Sequence, residues 1–317
     1  MATLIDEKSA LAIVVPFYKV DYFQDLLEAL KNQTNQDFCV YVGDDCSPND
    51  PQEIIERYKD VLNISYLRFE QNLGAVSLAK QWNRCLEMVG DETWVWVVPD
   101  DDIPAKECVA AFYNALPAAE ENRVKVFRFS YKLIDENGTV TNDLQFEEPE
   151  LEDNLAYYNR LMRGKTASSL GDNIFHKESL VGTGGFVDFP KAWGSDHATV
   201  LRAASGGQLR YLADATLYFR ISGKNISSDT SDGVEKLKAR IQFARWLQNN
   251  EHIFPVRPDR EFYRYFYWKA EYYVLNVWIV SLPLLGALYR LRKICMNSGN
   301  VWPIVKIFLL KLGRATG

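Results

Sequence analysis

Residues 94–104 read WVWVVPDDDIP, an uncharged apolar run that ends in a proline and three aspartates. A short run without charge predicts a strand that is buried on both faces. Adjacent carboxylates repel one another, so Asp100, Asp101 and Asp102 lower stability at a strand end unless a cation or hydrogen-bond donors compensate. A divalent metal that bridges two phosphates would compensate and needs hard oxygen ligands. A solvated acidic turn is the alternative, and the position directly after the strand favours the site.

Similar apolar runs precede this one along the chain, at residues 11–18, 38–42 and 64–69. Segments with apolar side chains at helical spacing separate these runs, at residues 23–30, 51–58 and 75–89. Four alternations of strand and helix predict an α/β fold, with a mostly parallel central sheet and crossover helices on its faces.

The second half of the chain repeats the two patterns less regularly. Strands are predicted at residues 124–131 and 208–220, and helices at residues 195–204 and 234–247. Residues 143–154 carry six carboxylates and are expected to form a solvated loop.

Acidic residues also follow the second predicted strand. Ligands of parallel sheets bind beyond the carboxyl ends of the strands, where Asp44 and Asp45 are expected to lie beside the three aspartates. A carboxylate at such an end can accept from the N–H of a base or from a ribose hydroxyl. A turn that caps the next helix explains the same residues, and the sequence alone leaves both interpretations open.

Composition excludes several other classes of site. The five cysteines form no CxxC pair and the three histidines no HExxH motif, so a metal is expected on oxygen ligands. The odd cysteine count and the absence of a basic, then apolar, start predict a cytoplasmic protein without a secretory signal. A net charge of −6 argues against nucleic-acid binding.

Four motifs in order carry a resemblance to a known family. VVPFY (14–18), VGDDCSPND (42–50), NLG (72–74) and VVPDDDIP (97–104) resemble the family-2 glycosyltransferases with the GT-A fold. The resemblance covers residues 11–228. It implies a nucleotide-diphosphate sugar donor, most readily a UDP-sugar, with Mn²⁺ or Mg²⁺ as cofactor and inversion at the anomeric carbon. It also implies a glycan or lipid-linked acceptor in bacterial cell-surface polysaccharide or glycolipid synthesis.

The resemblance assigns a role to each matching position. Donor contacts fall on Pro16, Tyr18, Asp45, Asn72, Gly74, Asp100 and Asp101. Within this set the resemblance implies that Pro16 and Tyr18 line the nucleotide pocket, that Asp45 reads the base and that Asp100 lies near the ribose and diphosphate. Asp102 is the implied metal ligand. The family often has an aspartate where this chain has Pro99, so the ligand among the three aspartates is not settled by alignment.

Downstream of the sheet, Asp196 in WGSDH matches the position of the family's general base, although Ser195 stands where the family often has a glutamate. Capping of the following helix is the structural alternative for Asp196. Arg220 or Lys224 is expected to neutralise the departing diphosphate, and Lys80 is a weaker candidate.

The chain is predicted to divide into a catalytic domain, residues 1–230, and a helical region, residues 231–317. The catalytic domain would consist of a nucleotide-binding half, residues 1–103, and an acceptor half, residues 104–230.

The C-terminal region differs from the rest of the chain in charge. After Val256 there are ten Lys/Arg and three Asp/Glu, a net charge of about +7, so the preceding residues carry a net charge of about −13. The uncharged residues 272–289 could span a membrane, lie on one or pack on the catalytic domain. We favour an interfacial or packed helix pair, with peripheral contact at the inner face of the plasma membrane.

Two other functions share some of these features. A sugar nucleotidyltransferase also uses an α/β sheet and carboxylate-bound magnesium, but VVPFYKVDYF lacks the glycine-rich loop that usually opens that class. A protein that binds nucleotide sugars without catalysis would be separated from an enzyme by a turnover assay.

Overall fold

The computed structural model describes residues 9–143, 145–223, 231–276, 278 and 280–315. Within them the strands are β1 Leu11–Phe17, β2 Cys39–Asp44, β3 Ile64–Arg68, β4 Trp94–Val97, β5 Ile103–Pro104, β6 Val124–Ile134, β7 Val140–Asn142, β8 Leu151–Glu152, β9 Asn173–His176 and β10 Gln208–Arg220. The α-helices are α1 Phe23–Lys31, α2 Gln52–Glu56, α3 Leu78–Leu86, α4 Cys108–Ala115, α5 Asn154–Met162, α6 Lys177–Gly182, α7 Ser195–Ala203, α8 Gly233–Asn249, α9 Arg260–Asn276, α10 Leu282–Met296 and α11 Trp302–Ala315.

The strands form one sheet in the order β3-β2-β1-β4-β9-β6-β10-β5, with β7 beside β6 and β8 beside β10. β1 to β4 run parallel to one another, and β9 lies antiparallel between β4 and β6. β6 and β10 are parallel to each other and point the same way as β4. The carboxyl ends of six strands therefore meet at one edge of the sheet, as the alternation of strands and helices predicts.

The central strands are covered on both faces, which explains their uninterrupted apolar sequences. Along β1, Ile13 and Val15 face a core that contains α1 and α4, whereas Ala12 and Val14 face the core on the other side. Helix α1 buries Phe23, Leu26, Leu27 and Leu30, the side chains that its sequence spacing selects. The predicted α/β fold is confirmed.

One predicted loop is only partly correct. Residues 143–154 contain strand β8 and the start of α5, and two of their carboxylates are buried. Arg160 donates to Glu148 at 2.7 Å and to Glu152 at 2.7 Å. Burial of a carboxylate is tolerated because a buried partner cation and hydrogen bonds offset its desolvation. Composition alone cannot reveal such pairing.

The C-terminal helices α8, α9 and α10 belong to the same apolar core as α5 and α7. The ring of Tyr158 on α5 lies 5.6 Å from that of Phe243 on α8 and 5.5 Å from that of Phe262 on α9. This core contains residues from both predicted domains, before and after residue 230. The division of the chain at residue 230 stays a prediction. Among the described residues, no helix has both the length and the apolarity that crossing a bilayer requires.

Candidate active site at the carboxyl edge of the sheet

The two acidic motifs meet at the edge where the parallel strands end. Asp44 closes β2, and its register partner on β1 is Phe17. Asp100 contacts the two residues that follow Phe17. Its Oδ2 accepts from the backbone N–H groups of Tyr18 at 2.8 Å and Lys19 at 2.7 Å. The loop after β1 is thus held between the two acidic motifs.

Asp44 is fully buried and saturated by donors from the protein. It accepts from the Tyr66 hydroxyl, the Arg68 guanidinium and the Ser47 N–H, each at 2.7 Å. The Ser47 hydroxyl in turn donates to the carbonyl of Tyr18 at 2.6 Å. Asp44 therefore shapes the turn after β2 and keeps Tyr18 in place.

Asp45, predicted to read the base, is also buried and surrounded by donors. Its carboxylate accepts from the N–H groups of Leu73 at 2.7 Å and Gly74 at 2.8 Å, and from the guanidinium of Arg84. Burial raises the pKa of Asp45, and these donors oppose the rise. A Cβ on Gly74 would stand 2.5 Å from Asp45 Oδ2, so the NLG turn needs glycine here. The base-reading role stays a prediction.

The other predicted donor residues surround this turn. Asn72 Oδ1 accepts from the Ala75 N–H at 2.8 Å and shapes the turn from within. Lys80 is exposed in the first turn of α3, whose cap is the hydroxyl of Ser77. Pro16 lies in β1 beside Gly43, and the side chain of Tyr18 is 38% exposed at the edge. Their contact with a donor stays a prediction.

The three aspartates after β4 differ from Asp44 and Asp45. Burial first, and the charge of Asp101 second, raise the pKa of Asp100 to about 7 and that of Asp102 well above its usual value. Asp102 is fully buried, and its Oδ1 accepts from the Arg220 N–H at 3.0 Å. Its Oδ2 is buried and has no hydrogen-bond partner among the described residues.

Gly171, two residues before β9 begins, lies against this carboxylate. A Cβ there would stand 3.2 Å from Asp102 Oδ2 and 2.7 Å from the side chain of Leu217. A larger residue would therefore press on the Asp102 oxygen that lacks a partner. Sequence reasoning missed this position, because only the antiparallel insertion of β9 beside β4 brings it to the site.

Arg220 holds the acidic turn through hydrogen bonds to Asp101 and Asp102. Its Nε donates to the carbonyl of Asp101 at 2.9 Å, and its guanidinium also donates to the carbonyls of Asp135 and Glu136 and to the carboxylate of Asp25. The group lies 4.0 Å over the ring of Tyr22 and is 1% exposed. Because its donors are committed to the protein, we assign Arg220 to support of the turn and not to the diphosphate. Lys224 lies outside the described residues.

The acidic turn fits a divalent metal only in part by itself. Among the described residues no group of three or more His, Cys, Asp or Glu is arranged to hold an ion. Mg²⁺ in enzymes that act on phosphates commonly takes one or two carboxylates and completes its shell with phosphate oxygens and water. The buried oxygen of Asp102, which has no hydrogen-bond partner among the described residues, is compatible with such a shell.

Asp196 stands in the first turn of α7, which follows Gly194 in a left-handed conformation with φ 88°. Its Oδ2 lies 3.6 Å from Nε2 of His197, and its side chain is 20% exposed. Burial lowers the pKa of His197, so this neighbour is neutral at pH 7. Ser195, where the family often has glutamate, accepts from the N–H of Phe189 at 3.1 Å.

The charge of Asp196 also acts on strand β6, which lies between β9 and β10 in the sheet. The charges of Asp172 and Asp196, after burial, raise the pKa of Tyr131 on β6. Asp172 follows Gly171 and is itself fully buried, with Arg128 donating at 3.2 Å. Both oxygens of Asp172 accept hydrogen bonds, from Arg128 and from Ser168, so this neighbouring carboxylate is a poor alternative to Asp196 as a base.

Comparison with known proteins agrees with this geometry. The sequence profile of glycosyl transferase family 2 matches residues 12–177, which is more than half of the chain. The chain is a member of glycosyl transferase family 2. The resemblance carried by its four motifs is confirmed.

A curated relative is the poly(ribitol-phosphate) beta-N-acetylglucosaminyltransferase TarS of Staphylococcus aureus strain Mu50, which is 28% identical over 143 residues. The match covers 44% of this chain and 24% of TarS, and TarS of strain MW2 matches equally. The chain thus aligns with about a quarter of the length of these curated relatives.

Solved structures show the same fold. The S. aureus TarS fragment 1–349 in complex with UDP-GlcNAc has a TM-score of 0.68 at 21% identity, over 90% of this chain and 81% of that chain. The mannosyltransferase PcManGT of Pyrobaculum calidifontis, in complex with GDP-Man and Mn²⁺, has a TM-score of 0.56 at 15% identity, over 97% and 81% of the two chains. The GT-A type fold expected from the motifs is confirmed.

Proposed function

We propose that this glycosyltransferase moves a sugar from a UDP-sugar to an acceptor hydroxyl, with inversion and with a divalent metal. The observation that carries the proposal is the acidic turn at the carboxyl edge of the sheet, where a buried oxygen of Asp102 has no hydrogen-bond partner among the described residues. UDP is favoured because the TarS structure was solved with UDP-GlcNAc, whereas the more distant PcManGT carries GDP-Man.

Donor binding falls to the β1–β4 side of the edge. Tyr18 is held by Asp100 and by Ser47, and the NLG turn is held by Asp45, so both elements are rigid before a donor arrives. Asp102 and Asp101 are the carboxylates that would hold Mn²⁺ or Mg²⁺ together with the diphosphate. When bound, the cation would neutralise charge on the departing nucleotide.

Acceptor activation falls to Asp196. A carboxylate near a helix N-terminus is stabilised in its charged form by the helix dipole and can take the proton of the attacking hydroxyl. Because burial lowers the pKa of His197, its imidazole is neutral at pH 7 and does not form an ion pair with the Asp196 carboxylate. Asp188 is an exposed alternative, but its Oδ1 accepts from the hydroxyl of Ser77 at 2.8 Å and so braces α3.

The acceptor is proposed to be a glycan or a lipid-linked glycan of the bacterial cell surface. TarS acts on a polymer, as its name states, which supports an extended acceptor for a chain with a related fold. A cytoplasmic site, with peripheral contact to the inner face of the plasma membrane through residues 231–317, would bring the enzyme to a lipid-linked acceptor.

The decisive test is turnover with a set of UDP- and GDP-sugars, with Mn²⁺, Mg²⁺ or a chelator, measured as release of free nucleotide. We expect release with one UDP-sugar in the presence of metal, and loss of release in Asp196→Asn. Asp188→Asn serves as the matched control and should retain most activity. Tight binding of a nucleotide sugar without any turnover would instead favour a binding protein.

A further inference from the structure

Helix α11 exposes apolar side chains on the side that faces away from the protein. Ile304 and Ile307 are buried, whereas Trp302 is 65% exposed and Leu309 is 54% exposed. Trp302, Val305 and Leu309 stand at spacings of three and four residues, so they form one stripe along the helix. We call these three residues, with Phe308 and Leu310 beside them, the outer face of α11; all five are exposed.

An amphipathic surface helix normally turns its polar side outward, so this arrangement is unusual for a helix that faces water. Single exposed apolar residues need no explanation, but a contiguous stripe indicates an interaction surface. Most of the exposed large apolar residues of the described chain lie after residue 255. The stripe is therefore a local feature of the C-terminal region.

The charge of this region points to the partner. No aspartate or glutamate follows Glu271, whereas Arg290, Arg292, Lys293, Lys306, Lys311 and Arg314 do. Lys306 is exposed on α11 itself, next to the stripe. Apolar and aromatic residues with a purely basic setting are the composition of a helix that lies in the interface of an anionic membrane.

Length decides between spanning and lying on a bilayer. A helix of the size of α11, 14 residues, is about 21 Å long, shorter than the apolar thickness of a bilayer at about 30 Å. No described helix meets the requirements of a span. A position in the plane of the interface, with the outer face toward the acyl chains, remains compatible with both facts.

We propose that the outer face of α11 docks this glycosyltransferase on an anionic lipid surface. The inference names the element and the lipid chemistry for the peripheral contact in the proposed function, and it does not depend on the transfer chemistry. A second copy is disfavoured as the occupant, because pairing two such segments would bring their basic residues together. The acidic remainder of the chain is repelled by anionic lipid, which would orient the basic region toward the membrane.

Helices α9 and α10 are part of the core, so the test keeps the full chain and changes the surface of α11 alone. The variant is Val305→Glu with Leu309→Glu. The matched control is Val61→Glu with Val140→Glu, two exposed valines outside the C-terminal region that receive the same added charge. Binding is measured by flotation with vesicles of phosphatidylcholine plus phosphatidylglycerol, and with vesicles of phosphatidylcholine alone.

We expect the wild type and the control to float with the anionic vesicles and the α11 variant to bind at least about tenfold more weakly. Lys306→Gln should weaken binding about fivefold, and high salt should weaken it further. Equal flotation of the α11 variant and the wild type, or no flotation of the wild type, overturns the proposal. A wild-type dimer in light scattering that becomes monomeric in the α11 variant overturns it in favour of a second copy.

Nucleotide release with a water-soluble acceptor, and the thermal midpoint, should be unchanged in the α11 variant. This readout separates the two proposals. If the α11 variant loses vesicle binding but keeps full turnover, the membrane contact is supported and is independent of the transfer. If the wild type binds vesicles but neither it nor a variant releases nucleotide, the membrane contact stands and the proposed transfer is refuted.

Discussion

Asp45 and Asp102 make an instructive pair, because both are buried aspartates that follow parallel strands, β2 and β4, on either side of β1. Asp45 receives two backbone N–H groups and a guanidinium, and each of its oxygens has a partner. Asp102 receives one backbone N–H on one oxygen, and its other oxygen has no partner among the described residues. Burial raises the pKa of both, but that of Asp102 well above its usual value.

The difference separates two uses of the same side chain. A carboxylate whose lone pairs are filled by the protein holds backbone segments together and contributes to stability. A buried carboxylate with an oxygen that has no hydrogen-bond partner lowers the stability of the free protein, and binding of a cation or a proton would relieve that cost. Substitution of Asp45 should therefore lower the stability of the free protein, whereas substitution of Asp102 should not.

The largest expected effect is on stability at the first site. Asp45→Ala removes the partner of the partly buried Arg84 and of the Leu73 and Gly74 N–H groups, which should cost about 3 kcal/mol of unfolding free energy. Urea denaturation measures it. Asp50→Ala, which removes one exposed contact to the Gln52 N–H, is the control and should cost about 1 kcal/mol or less. If Asp45→Ala keeps its stability but loses UDP affinity, Asp45 reads the base and the comparison fails.

A third carboxylate sharpens the comparison, since Asp196 lies outside both motifs and is partly exposed. Asp196→Asn keeps the shape and removes the proton acceptor, so kcat should fall about a hundredfold or more. Affinity for Mn²⁺–UDP, measured by calorimetry, should change little because the base contacts the acceptor. Near-normal transfer by Asp196→Asn would leave this residue as a helix cap.

The open oxygen itself is tested through the metal. Asp102→Asn should weaken binding of Mn²⁺–UDP by about tenfold or more, while the free protein loses no stability. Isothermal calorimetry with and without chelator gives the first quantity and thermal unfolding the second. The paired variant Asp101→Asn decides the ligand. Should Asp101→Asn abolish metal-linked binding and Asp102→Asn leave it intact, the cation belongs to Asp101.

The smallest expected effect is a pH dependence of the free protein. The pKa of Asp100 is raised from 3.8 to about 7, so the folded state binds this proton more tightly than the unfolded chain. Stability should therefore rise, relative to Asp100→Asn, as the pH falls through about 7, by on the order of 1 kcal/mol. Mn²⁺ with UDP should remove this difference. A flat difference between wild type and Asp100→Asn over that range would contradict the raised pKa.

Local sequence was sufficient to locate the elements that build the site. The apolar run at residues 94–98 becomes β4, and the helix predicted from residue 195 begins at Ser195. Both follow from short-range physics, since burial of a strand or of one helix face leaves a period in the sequence. The motif order then identified the family that the profile match confirms.

Partnership between distant side chains was not predictable in this way. Arg84 reaches Asp45 across 39 positions and Arg220 reaches Asp25 across 195, and neither pairing leaves a local pattern. The same limit explains why the buried Glu148 and Glu152 were expected in a solvated loop, and why Gly171 was overlooked beside Asp102.

The sequence by itself therefore determined the α/β architecture, the family and the positions of the acidic residues. Only the tertiary structure decided which of those carboxylates receive hydrogen bonds from the protein on both oxygens and which keep an oxygen without a partner. The physical reason is that hydrophobic periodicity is a property of neighbours along the chain, whereas the satisfaction of a buried carboxylate depends on donors that only folding brings within about 3 Å.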